Sequence, residues 1–230
     1  WVRRDITRAS IAQDNLGAAL EVAQSIDEPE ERDRALVDVV RAHIKASAFA
    51  GAIDVTHKIV GDDGKALAWK NIAEGRIALR DFAAAQGAAN QIAGQGDRNV
   101  LLGAIALAQA KTSDVAGALA TARGIIQEED RDRILDQLAS VQIQKPDLDG
   151  ALHVAEAISE SVTKSLSMQS IAMAQVSGGQ PVAAMKTVEA MSDSITAILA
   201  WHEVMDRIRS AEFSAQTIGE VETVARRSDV

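Results

Sequence analysis

Written in rows of 33 residues, the chain places its hydrophobic positions in columns without a gap. One column reads Ala19, Ala52, Ala85, Ala118, Ala151, Ala184 and Thr217, and seven residues further on stand Ile26, Ile59, Ile92, Ile125, Ile158, Met191 and Val224. A third reads Ile6, Val39, Ile72, Ile105, Leu138, Ile171 and Val204, preceded at three residues by Arg3, Leu36, Trp69, Leu102, Leu135, Met168 and Trp201. Within a row the spacing is helical. Leu36, Val39, Val40 and Ile44 share one face of a 3.6-residue period, and Ala52, Val55, Thr56 and Ile59 share another.

Polar residues punctuate the same rows. Asn15, Asp81, Asp114 and Asp147 occupy one column, each followed by an apolar residue (Leu16, Phe82, Val115, Leu148), which predicts an N-cap before a helix. Gly61, Gly64, Gly94 and Gly96, with the acidic stretch Asp27 to Asp33, mark the other connections. The predicted unit is helix, turn, helix, turn, with helix pairs near 1–32, 33–65, 66–98, 99–131, 132–164, 165–197 and 198–230. One such unit cannot bury its apolar stripes alone, so the units are expected to stack as one array over the whole chain. The alanine column suits the place where helix backbones approach closely. The last row departs from the columns, with Thr217 and Val221 at core places and Glu220, Glu222, Arg226 and Arg227 on a polar face, and it reads as a terminal cap.

Composition agrees with an all-α fold. Forty-three of 230 residues are alanine, the best helix former, while Tyr and Cys are absent and Phe and Pro number three each, which disfavours a β-sandwich or barrel. The lack of cysteine excludes disulfides, thiolate metal sites and a thiol nucleophile. A net charge of −9 disfavours nucleic acid, whose binding rests on clustered Lys and Arg. No apolar run is long enough to span a membrane. The chain starts at Trp1 and not at Met, so a processed or truncated product is expected, and no cellular address is legible.

Candidate chemistry is sparse. His43, His57, His153 and His202 form no pair at metal-ligand spacing, and the acidic runs at 27–31 and 128–130 lack the calcium-loop pattern and sit where helix starts favour negative charge. No phosphate-cradling glycine loop, nucleophile elbow or kinase signature occurs, and Gly94-x-Gly96 follows no strand. No catalytic residue, cofactor or metal is therefore assigned, and the chain reads as not an enzyme. The most regular charged feature is a basic column, Arg32, Lys65, Arg98, Arg131 and Lys164, expected to pair with neighbouring carboxylates such as Glu31, Asp63, Asp97 or Asp130, or else to form an anion-binding ridge.

With Trp69 and Trp201 at the first place, Ile72-Ala73, Arg76, Ala85, Ala89 and Ile92 follow the phase of the tetratricopeptide (TPR) repeat, which the chain resembles over all seven rows. It departs in being one residue shorter, in lacking the closing Pro, and in its tyrosine column, which reads Ser10, His43, Arg76, Gln109, Gln142, Gln175 and Ile208. Ankyrin shares the length but not its Thr-Pro-Leu-His; pentatricopeptide repeats bind RNA, against the acidic charge; HEAT repeats are the other helix-pair alternative.

The resemblance implies a right-handed α-solenoid of about seven helix-turn-helix repeats that acts as a protein–protein interaction scaffold. Projected on the first helices, its groove would be lined by Arg4, Arg8, Val37, Arg41, Lys70, Asn71, Glu74, Leu107, Asp136, Gln169, Met173, His202 and Asp206, basic at the N-terminal end and acidic at the other. An acidic segment or C-terminal carboxylate is the expected partner near Arg4, Arg8 and Arg41, although the family's carboxylate clamp needs an Asn where Asp38 stands. The alternative is a structural module that self-assembles into homo-oligomers or joins a larger complex.

Overall fold

The computed structural model describes residues 2–211, 213 and 215–227. They form an all-α fold of fourteen helices packed in consecutive pairs, with no strand among the described residues. The first helices are α1 (Val2–Ala12), α3 (Pro29–Lys45), α5 (Asp62–Ala78), α7 (Gln95–Lys111), α9 (Glu128–Gln144), α11 (Ser161–Ser177) and α13 (Ser194–Ser210). The second helices are α2 (Leu16–Gln24), α4 (Phe49–Thr56), α6 (Phe82–Ala89), α8 (Val115–Ala122), α10 (Leu148–Glu156), α12 (Pro181–Glu189) and α14 (Ala215–Arg227). Contacts divide the chain into two compact units, Trp1–Ala108 and Gln109–Val230.

From α3 to α13 every first helix has 17 residues and begins 33 residues after the one before. Each starts four residues ahead of the boundary read from the sequence, since α3 begins at Pro29 against 33 and α9 at Glu128 against 132. The acidic residues taken there as connections form the first helical turn: Pro29 opens α3 at a position that needs no N–H, and Glu30 and Glu31 face the positive end of its dipole. The second helices from α2 to α12 are short, 8 or 9 residues. Ile59, Ile92, Ile125 and Ile158 therefore lie beyond their ends, as buried residues of the connections rather than of the helical face.

The expected caps form. Asn15, Asp81, Asp114 and Asp147 accept the N–H of Ala18, Ala84, Gly117 and Gly150 at 3.1, 3.2, 2.9 and 3.0 Å. One residue before each cap the backbone turns left-handed, and this recurs every 33 residues at Asp14, Ser47, Arg80, Ser113, Pro146 and Gly179. At each turn the following N–H bonds a carbonyl five residues back, as in Asn15 to Ser10, Asp81 to Arg76 and Gln180 to Gln175, which satisfies an orphan acceptor at the helix end.

The alanine column from Ala19 to Ala184 is buried, as is the column from Val39 to Val204, so the cores of both units lie along the predicted stripes. Val221 of α14 is buried too, whereas the side chains of Arg226 and Arg227 lie outside the described residues.

Consecutive pairs are also latched by buried polar side chains. In the first unit Asp33 of α3 accepts Val60 N–H at 3.2 Å and Gly61 N–H at 2.7 Å, the residues that lead into α5. Ninety-nine residues later Asp132 of α9 accepts Ser159 N–H (3.2 and 3.1 Å) and Glu160 N–H (2.8 Å) ahead of α11, and Ser165 accepts Asp193 N–H at 3.0 Å ahead of α13. Glu160 in turn caps α11, and the Thr163 and Val162 amides hold its carboxyl below the usual carboxylate range; hydrogen bonds from Thr196 do the same for Asp193.

Candidate partner-binding site

In the first unit α1 and α3 bring three arginines to one carboxylate. Arg4 reaches Asp38 Oδ2 through Nε and Nη2, both at 3.3 Å; Arg8 Nε lies 3.2 Å from the same oxygen; Arg41 Nη1 is 3.8 Å from Oδ1. Helix geometry explains the convergence. Arg4 and Arg8 are one turn apart on α1, Asp38 and Arg41 are three residues apart on α3, and the two helices pack together. Each guanidinium carries five N–H donors, so one carboxylate leaves most of them for solvent or a ligand. Asp38 thus occupies the place that an incoming carboxylate would take.

The arginines border a cleft of ≈ 600 Å³ lined also by Arg34, Val37, Leu67 and the first turn of α5, Gly61 to Gly64. Val37 is 3% exposed, so it forms floor rather than rim. The lining is of mixed sign: Arg34 is held by Glu31 at 2.6 Å and Glu30 at 3.4 Å, Asp33 is engaged in its latch, and Asp62 and Asp63 stand on the side away from α1. Arg34 and Leu67 were not read from the sequence as site residues. Their column alternates in chemistry (Arg34, Leu67, Val100, Arg133, Leu166, Leu199), so it carried no consistent signal.

The other groove positions distribute less tightly. Lys70 and Glu74 pair along α5 at 4.0 Å, the Asn71 amide nitrogen is buried without a hydrogen-bond partner, and Leu107 is half-buried. In the second unit Asp136 accepts a hydrogen bond from Ser167, and Gln169 donates to Glu203 at 2.6 Å, so these residues link successive first helices. Met173 packs against the core. His202 is exposed, its Nδ1 2.8 Å from the Ile198 carbonyl and its ring 5.1 Å from that of Trp201, and Asp206 pairs with Arg209 at 3.5 Å.

The basic column has a structural use. Arg32 donates to the Ile26 carbonyl at 3.2 Å, Lys164 to the Glu156 carbonyl at 3.0 Å, and Arg131 to Ser159 Oγ at 3.2 Å while standing 4.0 Å from Glu128. Arg32 and Lys164 thus serve backbone carbonyls near the end of the preceding second helix, where the dipole is negative, rather than adjacent carboxylates.

The tyrosine column of the TPR pattern is rebuilt in polar chemistry. Gln109 accepts from Thr121 at 2.6 Å and donates to Asp114 at 3.2 Å, and Gln175 accepts from Thr187 at 2.8 Å, locking first to second helix across 12 residues. Arg76 does similar work over the Phe49 ring (4.0 Å) and against Asp81 (2.8 Å). His43 packs where a Cβ on Gly51 would lie 2.6 Å from its Nδ1, so only glycine admits the ring there.

No protein family matches the chain, and no curated protein does. Among solved structures it is similar to that of Ton1535 from Thermococcus onnurineus NA1, at 13% identity over 99% of this chain and 84% of the other, with a TM-score of 0.31.

Proposed function

We propose that the chain is a non-catalytic interaction scaffold, a right-handed TPR-like α-solenoid of seven helix pairs that takes an acidic peptide segment or C-terminal carboxylate at Arg4, Arg8 and Arg41. The observation that carries this reading is the convergence of three guanidinium groups on the single carboxylate of Asp38 at the edge of the 600 Å³ cleft. A ligand carboxylate displaces Asp38 from one or two arginines and gains charge-assisted, bidentate hydrogen bonds. The binding mode is side-chain capture on a rigid helical frame, which suits recognition rather than bond-making.

The test uses an array of acidic peptides, each beside its Glu→Gln and Asp→Asn counterpart. Binding is expected for acidic members only, with affinity falling as salt rises. Reversing Arg8 and Arg41 to Glu is expected to abolish it while the circular dichroism stays helical. Equal capture by the doubly reversed protein would overturn the assignment.

One observation favours self-assembly as a second reading. In the second unit α11 and α13 expose Val162, Leu166, Ile195, Ile198 and Leu199 on neighbouring helices. Sedimentation velocity over a hundredfold concentration range separates the readings, since self-assembly gives a rising mass that the arginine reversals leave unchanged.

A further inference from the structure

The end of α7 and the end of α1 are built alike, 99 residues apart, and differ in one filled position. Both close with a left-handed residue, Ser113 (φ 69°) and Asp14 (φ 58°), and with matching hydrogen bonds: Ser113 N–H to the Ala110 carbonyl (3.0 Å) and Asp14 N–H to the Ile11 carbonyl (2.9 Å). In the second unit Lys145, just past α9, lays its ammonium on this end. Nζ donates to the Ala110 carbonyl at 3.0 Å, the Lys111 carbonyl at 2.7 Å and Ser113 Oγ at 2.9 Å. Three acceptors at the negative end of a helix dipole make a site for a compact, strongly hydrated cation.

In the first unit the counterparts of those acceptors are Ile11, Ala12 and Asp14, and the counterpart of Lys145 is Ala46. A cleft of ≈ 460 Å³ lies there, bounded by Ile11, Ala12, Asp14, Leu16, Ala42 and Ala46 with Lys45 at its side. The cleft is the volume that the lysine stem and ammonium take up in the other unit. Its chemistry favours a cation more strongly than the filled copy does, because Asp14 puts a carboxylate where Ser113 has a hydroxyl. Leu16, Ala42 and Ala46 supply apolar wall for methylenes.

We infer that this cleft binds a primary ammonium on a short alkyl chain, as carried by a lysine side chain of a partner polypeptide or by a free polyamine, with Ile11 and Ala12 carbonyls and the Asp14 carboxylate as acceptors. The site is separate from the arginine cleft and does not depend on the function proposed for it. Lys45 is the internal competitor; its counterpart in the filled copy is the uncharged Gln144.

The test is an amide chemical-shift titration of the full chain with n-butylammonium chloride, beside uncharged N-butylacetamide. Saturable shifts confined to residues 11–16 and 42–47 are expected with the amine alone. Ala46→Lys supplies the ammonium in cis and is expected to raise Tm and remove the response. Asp14→Asn weakens the amine roughly threefold or more, the scale of one exposed ion pair, and Lys45→Gln strengthens it. Parallel titrations with a lysine-containing peptide and with spermidine show which carrier binds more tightly, and binding by either supports the site. Shifts equally large with N-butylacetamide, or unchanged in both Ala46→Lys and Asp14→Asn, would overturn it, as would the absence of any saturable response.

Discussion

Arg80 and Ser47 hold left-handed backbone at φ 59° and 56°, where a Cβ crowds the following carbonyl and glycine is unstrained. Replacing either by Gly is expected to stabilise the protein by about 0.5–1 kcal/mol, the relief of that crowding less the added freedom of the unfolded chain, and a urea melt reads the change. Gln142 offers a second contrast. It stands in the column of Gln109 and Gln175, but Val154 replaces the threonine that would answer it, and its amide nitrogen is buried without a partner at 1% residue exposure. Gln109→Leu is expected to cost about 1–2 kcal/mol through its lost bonds to Thr121 and Asp114, whereas Gln142→Leu is expected to be neutral or stabilising. Equal losses in the two melts would refute the assignment. These distinctions were hidden in the sequence because Asp14, Ser47, Arg80, Ser113, Pro146 and Gly179 share a backbone angle and no chemistry. The caps at Asn15, Asp81, Asp114 and Asp147 were legible because cap and partner sit three residues apart, among residue types that form few other local bonds.

At the scale of elements, α11 depends on a relay. Asp132 holds the Glu160 N–H, and the Glu160 carboxylate holds those of Val162 and Thr163. Because the folded-state pKa of Glu160 lies below its unfolded value, the capping contribution is complete above that value and is lost as the pH falls through it toward the folded one. Glu160→Gln is therefore expected to lower Tm at neutral pH and to flatten its fall below pH 4.5, the ordinary value for this carboxyl. A variant whose acid limb stays parallel to that of the parent would place the titration elsewhere. The latch itself was not legible, since Asp33 and Asp132 act on residues 27 and 28 positions away and sit in helices whose first turns are already acidic. The same acidity displaced the predicted helix starts by one turn. The arginine-rich N-terminal end was legible from charge alone, while its gathering around Asp38 required α1 and α3 to pack with a definite stagger.

Across the molecule, the substantial contacts join helices one or two places apart in the chain. Such arrays approach a sum of local terms, with low contact order and the means to open in part. Asp132→Ala, which leaves two amides without their acceptor at an estimated cost of about 2 kcal/mol, is expected to raise hydrogen exchange at residues 159–164 while that of α3 and α5 stays near the parent's. Uniform acceleration throughout would mean that the chain unfolds as one cooperative body.

The recurrence of the left-handed turn also sets the grain in which this chain can be edited. A single inserted residue would throw every later cap, latch and alanine contact out of phase, whereas adding or removing 33 residues between two such turns returns each side chain to an equivalent neighbourhood. The protein is in that sense a ruler graduated in whole repeats, and its reach could be lengthened or shortened by copying text it already contains.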